Sequence, residues 1–331
     1  MFLRLLETVL QKIRKFRFFH GILALPIVIS SMLLVSQYSN LWVADMIVSF
    51  SPYIIVVCGI AILFSFVLAK HRLEYVYALV GLALLVCSVP TTYNWLFVNQ
   101  NDFLESGDIR IASLNKYYAN REYDELRKVV NPNEYDIVGL SETFDKDFKI
   151  LKKQWRYSLS AECDCDPAPK AELVLLSNYP IIKNEVVSAG KESGGILRAV
   201  VKVKGKQLIT YVAHTPSPIS NSYFKKRNEM LQTIVPARII QDKDRNAVFM
   251  GDLNISPYSS NYRKTERSLL GYTNIMRGSG AVRTWCLFKI EPICAPIDHM
   301  FVTNSISTTK PEIVRVKGSD HKLITTELVI N

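Results

Sequence analysis

The chain has 331 residues, with 40 lysines and arginines against 30 aspartates and glutamates, and 49% of it is hydrophobic. That length allows two or three structural units, and a uniform soluble chain is excluded because the composition is split. Residues 1–100 hold 7 basic and 3 acidic residues, which leaves 33 and 27 for residues 101–331, an ordinary charged stretch long enough to bury its own core.

The first 17 residues form a basic tail with Lys12, Arg14, Lys15 and Arg17. Three runs without a formally charged side chain follow, over 18–44, 46–69 and 75–101. Each exceeds the ~20 apolar residues that cross ~30 Å of hydrocarbon. Three transmembrane helices are therefore expected within 18–101, at about 21–40, 46–69 and 75–98. The first run is too long for a signal-peptide apolar region of about 7–15 residues. Lysine and arginine before the first run, with Lys70 and Arg72 between the second and third, place those segments in the cytoplasm. A multi-pass protein of the inner or plasma membrane follows, with its C-terminal domain in the periplasm or outside. Lys116, Arg121, Arg127 and Lys128 run against that orientation.

Cys58 and Cys87 fall inside the expected helices and read as packing residues, whereas Cys163, Cys165, Cys286 and Cys294 lie in the C-terminal domain. In an exported domain these four could form two disulfides, with three possible pairings, and with the opposite topology they would be free thiols. Their spacing is not a standard zinc pattern.

After a junction at 99–107, short β-rich runs alternate with helical spacing through a domain over 108–331. Strands are expected at 109–114, 136–140, 172–177, 196–203, 207–213, 247–250, 297–302, 313–316 and 322–329, with helices at 121–130, 145–154, 222–241 and 259–269. Helices spread among so many strands give an α/β domain with covered sheets.

Polar residues suited to phosphoester chemistry recur at the expected strand ends. Asn115 ends Ile-Ala-Ser-Leu-Asn, Glu142 follows Val-Gly-Leu-Ser, and His214 ends Tyr-Val-Ala-His. Asp252 and Asn254 follow Val-Phe-Met-Gly, Asp298 opens a strand, and Asp320 and His321 precede the last one. A hard cation takes carboxylate and water oxygens. Phosphoryl transfer adds amide donors and an imidazole–carboxylate pair. His299, beside Asp298, projects to the opposite strand face and reads as structural.

In order and spacing, Asn115, Glu142, His214, Gly251-Asp252-Leu253-Asn254, Ile297-Asp298-His299 and Ser319-Asp320-His321 resemble the endonuclease/exonuclease/phosphatase superfamily, which is deoxyribonuclease I-like, in a membrane-anchored bacterial form. Arg283-Thr284-Trp285 and Leu176-Ser177-Asn178-Tyr179-Pro180 support the match. The usual phenylalanine of the Gly-Asp-Phe-Asn motif is Leu253, an apolar exchange that leaves the chemistry in place.

The resemblance implies a four-layer sandwich of two mixed β-sheets flanked by helices, here preceded by the three transmembrane helices. It also implies Glu142 and Asp320 as ligands of Mg²⁺ or Mn²⁺, with Asn115 steadying them. Asp252 would orient or activate water, Asn254 would donate to the phosphoryl oxygens, and Trp285 would contact substrate. His321, held by Asp298, and His214 would be the two imidazoles. Glu172 either orients His214 or is a surface strand residue. The expected protein is a membrane-anchored, metal-dependent phosphoesterase acting outside the cytoplasm on a phosphodiester or phosphomonoester, nucleic acid included. Alternatives are a phospholipid or sugar-phosphate phosphodiesterase and a catalytically inactive membrane-linked binding module. Its partners would be the bilayer and an anionic phosphoester, with no obligate protein partner.

Overall fold

The structure is a computed structural model that describes residues 21, 24–69, 72–98, 101–162, 172–188, 194–280, 282–291 and 293–330. The basic tail, Cys163, Cys165 and the side chain of Glu172 lie outside the described residues. The chain divides into two compact units, Met1–Asn94 and Trp95–Asn331.

The first unit is helical. Helices α1 (Ala24–Tyr38) and α2 (Trp42–Val48) meet at a bend of 111°. Then come α3 (Ser51–Leu68) and α4 (Arg72–Phe97). The last two, with mean hydropathies of 2.4 and 1.8, are long and apolar enough to cross a membrane, and the bent pair makes a third only if it counts as one span. At helical rise α3 reaches about 27 Å and α4 about 39 Å. Within the expected second span, about 46–69, α3 begins at Ser51, with Pro52 in its first turn. Proline lacks the N–H and clashes with the carbonyl four residues back, so a continuous helix through 46–69 breaks there and restarts. Along the expected first and third spans, about 21–40 and 75–98, the described helices are Ala24–Tyr38, which belongs to the bent pair, and Arg72–Phe97. Asp45 and Glu74 are buried in this unit, so its interior is not charge-free.

The second unit carries two mixed sheets. Its strands in chain order are β1 (Ile109–Asn115), β2 (Ile137–Thr143), β3 (Tyr157–Glu162), β4 (Glu172–Ser177), β5 (Ile181–Ser188), β6 (Gly195–Val203), β7 (Lys206–His214) and β8 (Ala247–Asp252). They continue with β9 (Tyr272–Asn274), β10 (Trp285–Cys286), β11 (Cys294–Ala295), β12 (Asp298–Thr303), β13 (Ile306–Thr308), β14 (Glu312–Arg315) and β15 (Lys322–Ile330). One sheet runs β13-β15-β1-β2-β4-β3 with β14 also on β15, and the other runs β5-β6-β7-β8-β12-β9. Among the described strand pairs, only β1–β2 and β7–β8 are parallel. Parallel neighbours need a crossover. Helix α5 (Tyr123–Val129) supplies the first, and α7 (Asn221–Glu229) and α8 (Val235–Ile239) supply the second. The helix expected over 222–241 is interrupted by a π-helical turn at Met230–Ile234, with Pro236 at the start of α8.

The strands alternate little because they are buried on both faces, as in β2, where all seven residues are buried. On one side of the first sheet, Leu114, Val138 and Leu140 pack with Leu126 of α5 and with Leu151 of α6 (Asp145–Leu151). Towards the other sheet the backbone comes close: a Cβ on Gly139 would lie 2.6 Å from Met250 and 2.8 Å from Val212. This stacking brings the ends of β1 and β2 alongside those of β7, β8 and β12.

Candidate active site

The site begins with strand register. His214 ends β7 opposite Asp252 at the end of β8, and Asp252 in turn faces Asp298 at the start of β12. Three adjacent strands therefore deliver an imidazole and two carboxylates in one row. Gly251 permits this packing: with φ +143°, a Cβ there would lie 1.9 Å from the Ala213 carbonyl oxygen. From the other sheet, Asn115 ends β1, and Glu142 sits in a register break between Leu140 and Thr143.

Asn115 joins the two sheets. Its amide nitrogen donates to Glu142 Oε1 and to Asp252 Oδ2, both at 2.9 Å, while its oxygen accepts from the Tyr117 N–H at 2.8 Å. The other oxygen of Glu142 accepts from the Tyr118 N–H at 2.8 Å. Glu142 holds φ +54°, a conformation that costs a non-glycine residue about 1–3 kcal/mol unless its surroundings over-determine it. Both carboxylate oxygens are tied down by these donors. Lys116 is buried against Asp147 at 2.8 Å and secures the same loop.

Two imidazoles converge on Asp252. His214 Nε2 lies 3.6 Å from Glu142 Oε1 and 3.7 Å from Asp252 Oδ2, and His321 Nε2 lies 3.7 Å from that same Oδ2. His321 Nδ1 lies 2.9 and 3.1 Å from the two oxygens of Asp298. Asp298 is fixed by its backbone, since its N–H and that of Ile297 donate to Thr284 Oγ1.

Burial works against charge on His321, but Asp298, Asp252 and Asp320 outweigh it and raise its pKa to about 10. Burial, reinforced by Asp298, pushes the Asp252 carboxyl well above the usual carboxylate range, with His321 and Asn115 pulling it back. The pair therefore keeps an imidazolium close to a carboxyl whose charged form burial disfavours.

Asn254, at φ +48°, donates its backbone N–H to Asp252 Oδ1 and one amide hydrogen to the Thr215 carbonyl at 2.9 Å. The amide carries two hydrogens, so one remains beyond the Thr215 bond. Arg227, fully buried, donates to the Asn254 carbonyl at 2.7 Å. Trp285 Nε1 donates to Asp320 Oδ2 at 3.0 Å, which gives this residue a carboxylate to hold. His299 projects away from the site as expected: Nδ1 pairs with Asn274 and Nε2 with the Ile255 carbonyl, and burial lowers its pKa to about 4.

The donor set suits a hard cation. Glu142 and Asp320 offer oxygens, and Asp320 Oδ1 is buried with no hydrogen-bond partner among the described residues. Among the described residues, ligand atoms of Glu142, His214 and Asp252 lie within 4.8 Å of one another, as do those of Asp252, Asp298 and His321; Asp320 stands outside both clusters. Cys286 and Cys294, opposite one another on β10 and β11, are disulfide-bonded.

Sequence reasoning passes over Tyr118, which acts through its backbone, and Arg227, which carries no local signal in a helix rich in Lys and Arg. It also passes over Thr284, which lies inside the quoted Arg-Thr-Trp motif.

Residues 107–321 match the sequence model of the Endonuclease/Exonuclease/phosphatase family. No curated protein matches the chain. Among solved structures, the endonuclease/exonuclease/phosphatase from Beutenbergia cavernae superposes with a TM-score of 0.58 at 18% identity, over 68% of this chain and 72% of that one. Zebrafish (D. rerio) TDP2 complexed with a single-strand DNA product superposes at 0.55 and 17%, over 67% and 98%. The Bacteroides thetaiotaomicron mannosyl-6-phosphatase superposes at 0.54 and 18%, over 67% and 100%. At these identities the likeness is one of fold.

Proposed function

The chain belongs to the endonuclease/exonuclease/phosphatase family and is a phosphoric ester hydrolase, and from that premise we propose a membrane-anchored, divalent-metal-dependent enzyme acting on phosphoesters outside the cytoplasm. One observation carries the catalytic reading: a single oxygen, Asp252 Oδ2, is approached by His214, His321 and the Asn115 amide, with Glu142 on that same amide. A buried cluster of two imidazoles and three carboxylates is costly to fold without a use.

Mg²⁺ or Mn²⁺ held by oxygens of Glu142 and Asp320, with Asn115 steadying Glu142, would neutralise charge on the phosphoryl group. Asp252, whose Oδ2 faces both imidazoles, takes in its ionised form the proton of the attacking water. His321, charged and clamped by Asp298, faces the negative charge that grows on the phosphoryl oxygens. The Asn254 amide and His214 supply further donors. As the new P–O bond forms, the bond to the leaving oxygen breaks, and that oxygen is protonated from solvent.

By their names, one fold neighbour binds a single-strand DNA product and another is a mannosyl-6-phosphatase. The proposal is therefore pitched at the phosphoester class. Anchoring rests on the lengths and hydropathies of α3 and α4, and the outward orientation on the distribution of lysine and arginine.

The test uses purified full-length protein in detergent with bis(p-nitrophenyl) phosphate, p-nitrophenyl phosphate, single-strand DNA and phosphatidylglycerol. Hydrolysis of at least one, abolished by chelator, restored by Mg²⁺ or Mn²⁺ and lost in His321→Ala, is the expected result. Hydrolysis unaffected by both chelator and His321→Ala would overturn the assignment.

A further inference from the structure

Between the two disulfide-bonded cysteines the chain presents its apolar side chains outward. Phe288 is 83% exposed, the most exposed large hydrophobic residue among those described, and Ile290 and Ile293 are 48% and 40% exposed. Apolar side chains at a loop tip are free to turn inward unless the backbone forbids it. Here Phe288 and Lys289 both hold positive φ, +52° and +60°, and the Cys286–Cys294 bond closes the loop across β10 and β11. The loop is thus braced in a shape that keeps its apolar groups in solvent.

It is also part of the site's rim. The Cys286 N–H donates to the Asp320 carbonyl, Lys289 Nζ donates to the Gly318 carbonyl at 2.7 Å, and Trp285 holds the Asp320 carboxylate. Cys286 and Lys289 line a cleft of about 320 Å³ that also borders Asp320 and His321. Arg315, Lys317 and Lys322 line the same cleft together with Glu125 and Glu291, and Lys322 pairs with Glu291 at 3.0 Å, so the root of the loop is of mixed charge with a slight excess of cations.

We propose that the loop closed by Cys286 and Cys294 dips Phe288, Ile290 and Ile293 into the surface of an anionic phospholipid bilayer, and that the site takes its phosphoester from that surface. The proposal rests on the phosphoesterase reading above and narrows its substrate class. Three exposed apolar side chains above a rim with a slight excess of lysine and arginine have the composition of an interfacial attachment, in which apolar burial supplies most of the attachment and attraction to anionic headgroups adds to it. They are too few for a protein partner. An aromatic side chain buries roughly 150–250 Å², so Phe288 with two isoleucines falls short of the ~800 Å² per partner of a stable protein interface. Helices apolar enough to span a membrane, in the same chain, would keep a bilayer at high effective concentration.

Full-length protein carrying Phe288→Trp, reconstituted in phosphatidylglycerol vesicles with brominated acyl chains, reads the contact without requiring turnover. Quenching beyond that of the wild-type tryptophans is expected, and it should weaken in phosphatidylcholine vesicles. No excess quenching overturns the insertion, and a dimer that dissociates on Phe288→Ser would assign the loop to a second copy instead. The second measurement compares substrates. In Phe288→Ser/Ile290→Ser, kcat/KM on phosphatidylglycerol in mixed micelles should fall about tenfold or more, with bis(p-nitrophenyl) phosphate unchanged. Equal activity of variant and wild type on the micellar lipid, or an equal loss on both substrates, rejects the proposal. Quenching without hydrolysis of any substrate would instead leave the loop assignment standing and remove the phosphoesterase reading.

Discussion

Two histidines lie on either side of Asp298, and they differ in everything but burial. His321 and His299 are both almost wholly enclosed. On the side of β12 that faces the site, His321 sits among carboxylates and holds its proton to about pH 10. On the opposite side, His299 is packed between Asn274, the Ile255 carbonyl and the rings of Trp95, Tyr262 and Phe301, and its pKa falls to about 4. Burial pushes both in the same direction. The charge state of a buried imidazole in this fold is therefore decided by whether a carboxylate is within reach, and that separates the chemical face of the strand from the structural one.

The largest expected effect tests that separation directly. His321→Ala should lower turnover by about 10²–10⁴, the usual loss for a positioned catalytic imidazole. His299→Gln should leave turnover within about tenfold and act on stability instead. Steady-state kinetics with thermal melts of the same samples decide it, and comparable kinetic losses would erase the distinction between the faces. Asp298→Asn should reproduce part of the His321→Ala loss. The double variant should fall little below His321→Ala alone, because groups that act as a unit are not additive.

A second effect divides the site itself. Glu142→Gln should raise the Mg²⁺ concentration needed for half-maximal activity, since it removes a carboxylate from a hard cation. His321→Ala should leave that concentration where it is. Metal titrations at saturating substrate make the comparison, and an unchanged requirement in Glu142→Gln would take Glu142 out of the ligand set.

The two histidines should also give opposite pH signatures of stability. The folded-state pKa of His299 is depressed, so its contribution is present above the unfolded value near 6.5 and is lost as pH falls through about 4. The folded-state pKa of His321 is raised, so its contribution is present below about 6.5 and is lost as pH rises through about 10. A shift of the size seen at His299 is worth on the order of 3 kcal/mol. Urea unfolding of metal-free protein in detergent, followed from pH 7 to 4, should show this acid loss in the wild type and a flatter profile in His299→Gln. Equal slopes would mean that His299 is not held neutral.

Much of this comparison is legible in the sequence. The residues of the site are recoverable because each ends or begins a strand and follows a β-rich run, as Asn115, His214 and Asp252 do. The opposite orientation of His299 follows from strand periodicity alone. Short pairing strands such as β9, β10 and β11 are not legible, because two or three residues carry no period. The break at Pro52 was hidden inside a run whose composition is uniformly apolar, where hydropathy outweighs a single proline. Donors that act through the backbone, such as the Tyr118 N–H on Glu142, leave no side-chain signal. The Cys286–Cys294 pairing was one of several open at the level of spacing, and it becomes definite only once β10 and β11 set the two residues opposite one another.

The smallest effect concerns Trp285, which follows the site-facing side of the comparison one residue further. Trp285 pairs with His321 through an isolated bridge, and its indole N–H holds Asp320 Oδ2. It stands to Asp320 as Asp298 stands to His321: a neighbour that orients a functional group. The relation is weaker because one neutral donor replaces a charged pair, and a hydrogen bond to a charged group contributes about 1.5–3 kcal/mol. Trp285→Phe keeps an aromatic side chain, smaller than the indole, and removes the donor. Asp320 would then have both oxygens without a protein hydrogen bond, since Oδ1 already lacks one. If Asp320 is a cation ligand, losing the group that aims it should weaken Mg²⁺ binding by about tenfold, the scale of an orienting partner, and excess Mg²⁺ should restore kcat. If the indole instead contacts substrate, KM should rise at every Mg²⁺ concentration. Crossing Mg²⁺ and substrate titrations in this one variant separates the two roles, and a loss of kcat that Mg²⁺ does not repair would show that Asp320 acts in the chemical step itself.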